Sequence, residues 1–234
     1  MQLFYNSDLE ENTPKFTFPA EESKHIIKVL RKKEGDILHI TNGKGFLFEA
    51  KIVLADMRKC TAEIISSTYQ QKKEPTLHLV VAPTKMNDRF EWFLEKATEI
   101  GVTEITPIIC ANSERKIVKL DRLQKVLQSA MKQSLHYHIP VLNEPIAFTD
   151  FINSNVGGDL FIAHCEEANK KELKGSLVKH KNATVLIGPE GDFSTKEITT
   201  ALAKGFSPVA LGKSRLRTET AAIYASACFS IINH

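Results

Sequence analysis

The sequence has little excess of either charge, few cysteines, one tryptophan and no long apolar run, and each shortage excludes something. Lys and Arg number 31 against 28 Asp and Glu, a net charge of +3. So mild a balance neither demands nor excludes a nucleic-acid partner, and any polyanion-binding surface has to come from local clustering. No apolar stretch approaches the roughly 20 residues of a membrane span. The opening residues, MQLFYNSDLEEN, lack the basic start and apolar run of a signal peptide, so the expected location is the cytoplasm. Cys60, Cys110, Cys165 and Cys228 are scattered with no C-x-x-C pair, which offers neither zinc-ligand spacing nor a disulfide framework. All four are expected to be small buried hydrophobes. No metal is expected: His136 and His138 have no nearby carboxylate or cysteine to complete a site. Internal repeats and low-complexity tracts are also missing.

What is present suits an ordinary globular chain: 234 residues, 42% hydrophobic and 25% charged, enough for one large core or two modest ones. Up to about Ser67 the apolar runs are short and turn-bounded, and Asn42-Gly43-Lys44-Gly45 is hairpin chemistry because Asn and Gly tolerate positive φ. This reads as a small β domain, residues 1–70, with one helix over Ala20 to Lys32. On that helix Lys24, Lys28 and Arg31 share one face, with Ile26, Val29 and Leu30 opposite. The polar stretch from Tyr69 to Pro75 reads as a linker.

From 75 to 234 the rhythm becomes strand and helix in alternation, which predicts a mainly parallel α/β sheet covered by helices. Asp88 and Glu91 have capping-box spacing ahead of a helix whose Phe90, Phe93, Leu94, Ala97 and Ile100 share a face, with Gly101 as C-cap. Ser194 and Glu197 repeat that spacing before a helix ending at Gly205. Thr218 is the expected N-cap of a final alanine-rich helix.

Ligands of such sheets collect at the carboxyl ends of the strands. Two loops there stand out. Ile187-Gly188-Pro189-Glu190-Gly191 flanks a proline and a carboxylate with glycines, and Leu211-Gly212-Lys213-Ser214-Arg215-Leu216-Arg217 leads into Thr218-Glu219-Thr220-Ala221. Taken singly, the first reads more readily as a simple tight turn and the second as a solvated basic turn before a helix. Neither matches a dinucleotide fingerprint or a phosphate loop.

Together they resemble the RsmE family of ribosomal RNA methyltransferases in the knotted SPOUT superfamily, through its GPEG and L-G-x-x-x-L-R-T-E-T-A loops. The resemblance runs along nearly the whole chain: His25 with Val29-Leu30-Arg31, the helix from Lys85 to Gly101, Pro107 through Lys116, and the Gln133-Ser134 step. It departs at Leu135-His136-Tyr137-His138-Ile139-Pro140, where family members often carry an arginine.

The resemblance implies a PUA-like β-barrel that binds RNA (1–70) and a SPOUT methyltransferase domain (75–234) with a C-terminal trefoil knot, assembled as a homodimer. It implies S-adenosylmethionine held by Ile187, Gly188, Pro189, Glu190, Gly191, Leu211, Gly212, Leu216, Thr218, Thr220 and Ala221. The implied substrate is uridine N3 in 16S ribosomal RNA, or the small subunit. RNA contacts fall on Lys24, Lys28, Arg31, Arg89 and Lys96. Neither loop contains a histidine, so the expected chemistry is electrostatic: Arg115 and Arg217 stabilise the uracil anion, with Glu219 orienting one of them. Trp92 is expected to pack rather than stack on a base. A non-catalytic RNA-binding protein of the same fold, or a methyltransferase for another RNA, would share these features.

Overall fold

A computed structural model describes residues 1–166 and 170–233. They fall into two compact units: residues 1–72 with 131–139, and residues 73–130 with 140–233.

In the first unit β1 (Leu3–Tyr5) and β2 (Lys15–Thr17) precede a short helix, α1 (Ala20–Lys24), then β3 (Ile37–Thr41), β4 (Phe46–Leu54) and β5 (Thr61–Tyr69). The sheet order is β1-β3-β4-β5-β2, antiparallel except for β1 beside β3. Alternating residues such as Leu38, Ile40, Phe48, Ala50 and Ile52 point inward and meet Phe18 and Ile26. The turn forms as its chemistry requires: Gly43 and Gly45 have positive φ, and the Asn42 carboxamide oxygen accepts the Lys44 and Phe46 N–H groups.

The single helix expected over 20–32 is corrected. After α1 the chain winds into a π turn over His25–Val29, closed by the Leu30 N–H on the His25 carbonyl, and Arg31 takes a positive φ. A wider turn rotates the later residues away from 3.6-residue spacing. Ile26 stays buried, but Val29 swings out to 62% exposure instead of joining the apolar face.

The departing segment 135–140 has a structural account. The Tyr137 carbonyl accepts the Gly45 N–H and the Thr41 hydroxyl, Ile139 N–H bonds to the Gly43 carbonyl, and His138 Nε2 lies 2.7 Å from the Gln70 carbonyl. These residues strap the 42–45 turn.

The second unit alternates β6 (Leu77–Val81), α2 (Asn87–Ile100), β7 (Glu104–Ile109), α3 (Leu120–Gln133), β8 (Val141–Leu142), β9 (Ile146–Ala147), α4 (Phe148–Ile152) and β10 (Asp159–Ala163). It continues through β11 (Lys171–Glu172), α5 (Leu173–Ser176), β12 (Ala183–Ile187), α6 (Thr195–Ala203), β13 (Ser207–Ala210) and α7 (Thr218–Asn233). Every pairing is parallel, in the order β11-β13-β10-β12-β6-β7-β8, with β9 also against β7. Val80, Ile108, Ile162 and Leu186 meet Phe148, Phe151, Ile152, Ile198 and Ala201 of α4 and α6. On the other side α7 packs on β6, β12 and α2. Among the described residues no helix is long and apolar enough to cross a membrane.

Local signals succeed and fail for identifiable reasons. Gly101 caps α2 with φ +103°, and Ser194 with Glu197 forms a complete capping box. Asp88 does not cap α2. The helix starts two residues earlier, after Met86, and the Asp88 carboxylate accepts the adjacent Arg89 N–H. Trp92 is half-exposed, at 47%.

Gly158 offers a sharp stability test. Its φ is +83°, and a Cβ there would lie 2.5 Å from the Asn182 carbonyl oxygen, which itself accepts the Asp159 N–H. Gly158→Ala is expected to cost about 2–4 kcal/mol in urea unfolding, from left-handed strain plus an unrelieved backbone clash. An unchanged midpoint would contradict this packing.

Candidate functional site

Strand order creates the site. All strands run the same way, so their C-terminal loops emerge on one side, and β10 lies between β12 and β13. The loops after β12 and β13, about 25 residues apart in sequence, therefore flank the residues that follow β10. A crevice of about 900 Å³ opens there, lined by Ile187 to Glu190, Asp192, Val209 to Thr218, Ala221 and the 163–166 segment.

Thr218 is not the N-cap of α7 but its first helical residue, and its buried hydroxyl donates to the Gly188 carbonyl at 3.0 Å. The two motifs are thus joined by one hydrogen bond. The first loop is braced elsewhere too: Ile187 C=O accepts the Ala82 N–H, Glu190 Oε1 accepts the Lys85 N–H at 2.9 Å, and Asn112 Nδ2 donates to the Gly191 and Asp192 carbonyls. Gly188 is buried with the Phe193 ring against it: a Cβ would stand 3.0 Å from two ring carbons. Gly212 has φ +111° and open space beside it.

Of the expected cofactor residues, Ile187, Gly188, Pro189, Glu190, Leu211, Gly212, Leu216, Thr218 and Ala221 line the crevice. Gly191 instead packs against Asn112, and Thr220 points outward as an exposed residue of α7.

The expected chemistry residues are only partly gathered. Arg217 lines the crevice, whereas Arg115 lines a separate hollow with Asn87, Phe90 and Glu91. Glu219 is buried beside Arg89 (Nε to Oε1 3.9 Å), and its other oxygen has no hydrogen-bond partner among the described residues. Lys96 is neutralised by Glu95 (2.7 Å) and Glu99 (2.9 Å), whose hydrogen bonds raise its pKa. Lys24, Lys28 and Arg31 are exposed in the first unit.

Two crevice residues escape a reading based on loop motifs. Cys165 is exposed on the crevice wall, correcting its assignment as a buried hydrophobe, and burial of its sulfur face still pushes its pKa up. His164, immediately after β10, is buried in the same wall. The signal for both is positional: they follow a strand that the parallel order places between the two loops, and that order is not written in any local motif. The other three cysteines are buried as expected.

Comparison with known proteins agrees with this geometry. The RNA methyltransferase domain model matches residues 71–230, and the RNA methyltransferase PUA domain model matches residues 18–65. A Rickettsia conorii protein named ribosomal RNA small subunit methyltransferase E is 30% identical over 97% of this chain and 93% of its own length. The crystal structure of a probable rRNA-methyltransferase from Porphyromonas gingivalis is 37% identical, with TM-score 0.92 over 100% of this chain and 98% of that one. A Neisseria gonorrhoeae ribosomal RNA small subunit methyltransferase E, solved bound to S-adenosyl methionine, is 27% identical, with TM-score 0.86 over 100% and 98%. With a SPOUT-type parallel sheet and a PUA-like first unit, the chain belongs to the RNA methyltransferase domain family, among the ribosomal RNA small subunit methyltransferases E.

Proposed function

We propose that the chain transfers the methyl group of S-adenosylmethionine to N3 of a specific uridine in 16S ribosomal RNA, within the small subunit. The observation that carries this reading is the single crevice built by two distant loops and tied by the Thr218–Gly188 bond. Its volume, about 900 Å³, lies within the roughly 300–1,000 Å³ usual for small-molecule sites. Gly212, with open space beside it, gives close access to backbone, and the cofactor seen in the Neisseria relative supports the same ligand for this chain.

When bound, S-adenosylmethionine supplies an electrophilic methyl on a sulfonium sulfur. The chain's own tasks are then positional and electrostatic. Ile187 to Glu190, Leu211, Gly212, Leu216, Thr218 and Ala221 form the binding surface, while Gly191 and Thr220 hold the ends of the two loops outside the crevice. The N3–H proton must leave as the N–C bond forms, so negative charge grows on the uracil. Arg217, at the crevice, stabilises that charge; Arg115, which lines the separate hollow beside Phe90, is the second candidate for the same role. Glu219, buried against Arg89, fixes the start of α7 and the guanidinium beside it. Lys24, Lys28, Arg31, Arg89 and Lys96 hold RNA phosphates, Lys96 with the weakest claim because Glu95 and Glu99 already pair it.

The further parts of the reading are cytoplasmic action, a PUA-like RNA-binding domain over 1–70, and a methyltransferase domain over 75–234 closed by a C-terminal trefoil knot. A homodimer completes them. Trp92 of α2 (47% exposed) and Ile231 of α7 (80% exposed) support the dimer, as large apolar residues on two helices that pack together. Label transfer tests the function: cofactor with a labelled methyl should mark small-subunit RNA. Cofactor binding without transfer to any ribosomal RNA would overturn it in favour of a non-catalytic RNA-binding protein. Light scattering should give twice the chain mass, and a fully active monomer would refute the dimer.

A further inference from the structure

His164 is the first residue after β10, only 8% exposed, in the wall of the crevice between the two loops. Among the described residues neither of its ring nitrogens has a hydrogen-bond partner. Buried polar groups are ordinarily paired, and an exception in a binding site marks a place a ligand can complete. The neighbours that could have paired it are committed elsewhere. Asp192 takes the Cys165 N–H on Oδ2 (2.7 Å) and the Phe193 N–H on Oδ1 (2.8 Å). Lys170 Nζ donates to the carbonyls of His164 (2.6 Å) and Glu166 (2.7 Å), fixing the main chain and leaving the ring alone. The Glu166 carboxylate accepts the Thr195 hydroxyl. The fold therefore positions this imidazole without using it.

We propose that His164 is a cofactor-binding residue, its imidazole making to bound S-adenosylmethionine the hydrogen bond that the chain itself does not provide. The inference rests on the function proposed above. Charge makes the residue type meaningful. Burial first, and then the Lys170 cation, push the imidazole pKa below its ordinary 6.5, against a smaller opposing pull from Asp192 and Glu166. Lys213, Arg215, Arg217 and Glu190 also line the crevice. At neutral pH the ring is uncharged and offers one donor and one acceptor to a cofactor that itself carries a positive sulfonium. Once protonated it would add a second positive charge next to the cofactor's.

Calorimetric titration with S-adenosylmethionine between pH 5.5 and 7 tests this on wild type, His164→Gln and His164→Leu. Wild-type affinity should fall on acidification, while His164→Gln, which keeps donor and acceptor but does not titrate, should bind with a flatter pH profile. His164→Leu should weaken binding about tenfold at pH 7, the equivalent of one hydrogen bond. Its unliganded melting temperature should match or exceed that of wild type, since an unpaired polar ring has been removed. A structural role would instead lower the unliganded melting temperature of His164→Leu. Wild-type-like affinity in His164→Leu overturns the inference while leaving the proposed function standing, and if that variant fails to fold, a wild-type profile parallel to that of His164→Gln does the same. Absence of cofactor binding by wild type overturns both.

Discussion

Arg217→Ala is expected to lower methyl transfer about 10²–10³-fold at saturating cofactor and RNA, the loss typical of removing one positioned charge stabiliser. S-adenosylmethionine affinity should change by less than about threefold, because an interaction made only as charge develops affects turnover and spares ground-state binding. The backbone gives this substitution its clarity. The Arg217 carbonyl accepts the Ala221 N–H at 2.8 Å, so α7 fixes the main chain and truncating the exposed side chain leaves the loop in place. Arg217→Lys should recover part of the rate. Wild-type single-turnover rates in Arg217→Ala would remove the residue from the chemistry.

Thr218→Val should act on binding and stability together. Valine keeps the shape but deletes the donor to the Gly188 carbonyl, leaving a buried oxygen unpaired. That costs about 1–3 kcal/mol in urea unfolding. The same bond sets the spacing of the two loops, so cofactor affinity should fall about tenfold, the equivalent of about 1.4 kcal/mol. Thr218→Ser, which retains the hydroxyl, should recover most of both losses. Unchanged stability and affinity in the valine variant would mean that the loops are held together by something else.

Much of this architecture was legible in the sequence, and the limits are physical. The capping box of Ser194 and Glu197, the Gly101 cap and the inward stripe of α2 depend on residues within a few positions of one another, and they formed as expected. Asp88 has the same spacing as Ser194, yet the entry of the chain from Met86 starts the helix two residues early and leaves its carboxylate inside the first turn. The π turn at His25–Val29 was unreadable because a 3.6-residue pattern cannot announce a wider winding, and it cost Val29 its predicted burial. Both binding loops could be named from sequence because each carries its own motif. That Thr218 would bond across to Gly188 rather than cap its own helix could not, since it depends on β10 lying between β12 and β13. The same strand order brings His164 and Cys165 into the crevice, where no motif pointed.

Methylation at uridine N3 blocks the Watson–Crick edge of the base, so it stops reverse transcription at a defined nucleotide. Small-subunit ribosomal RNA from cells lacking this gene, incubated with the purified chain and S-adenosylmethionine, should gain one such stop, and nuclease fragments should yield N3-methyluridine there. Methylation at another atom, on another RNA, or nowhere would contradict the account.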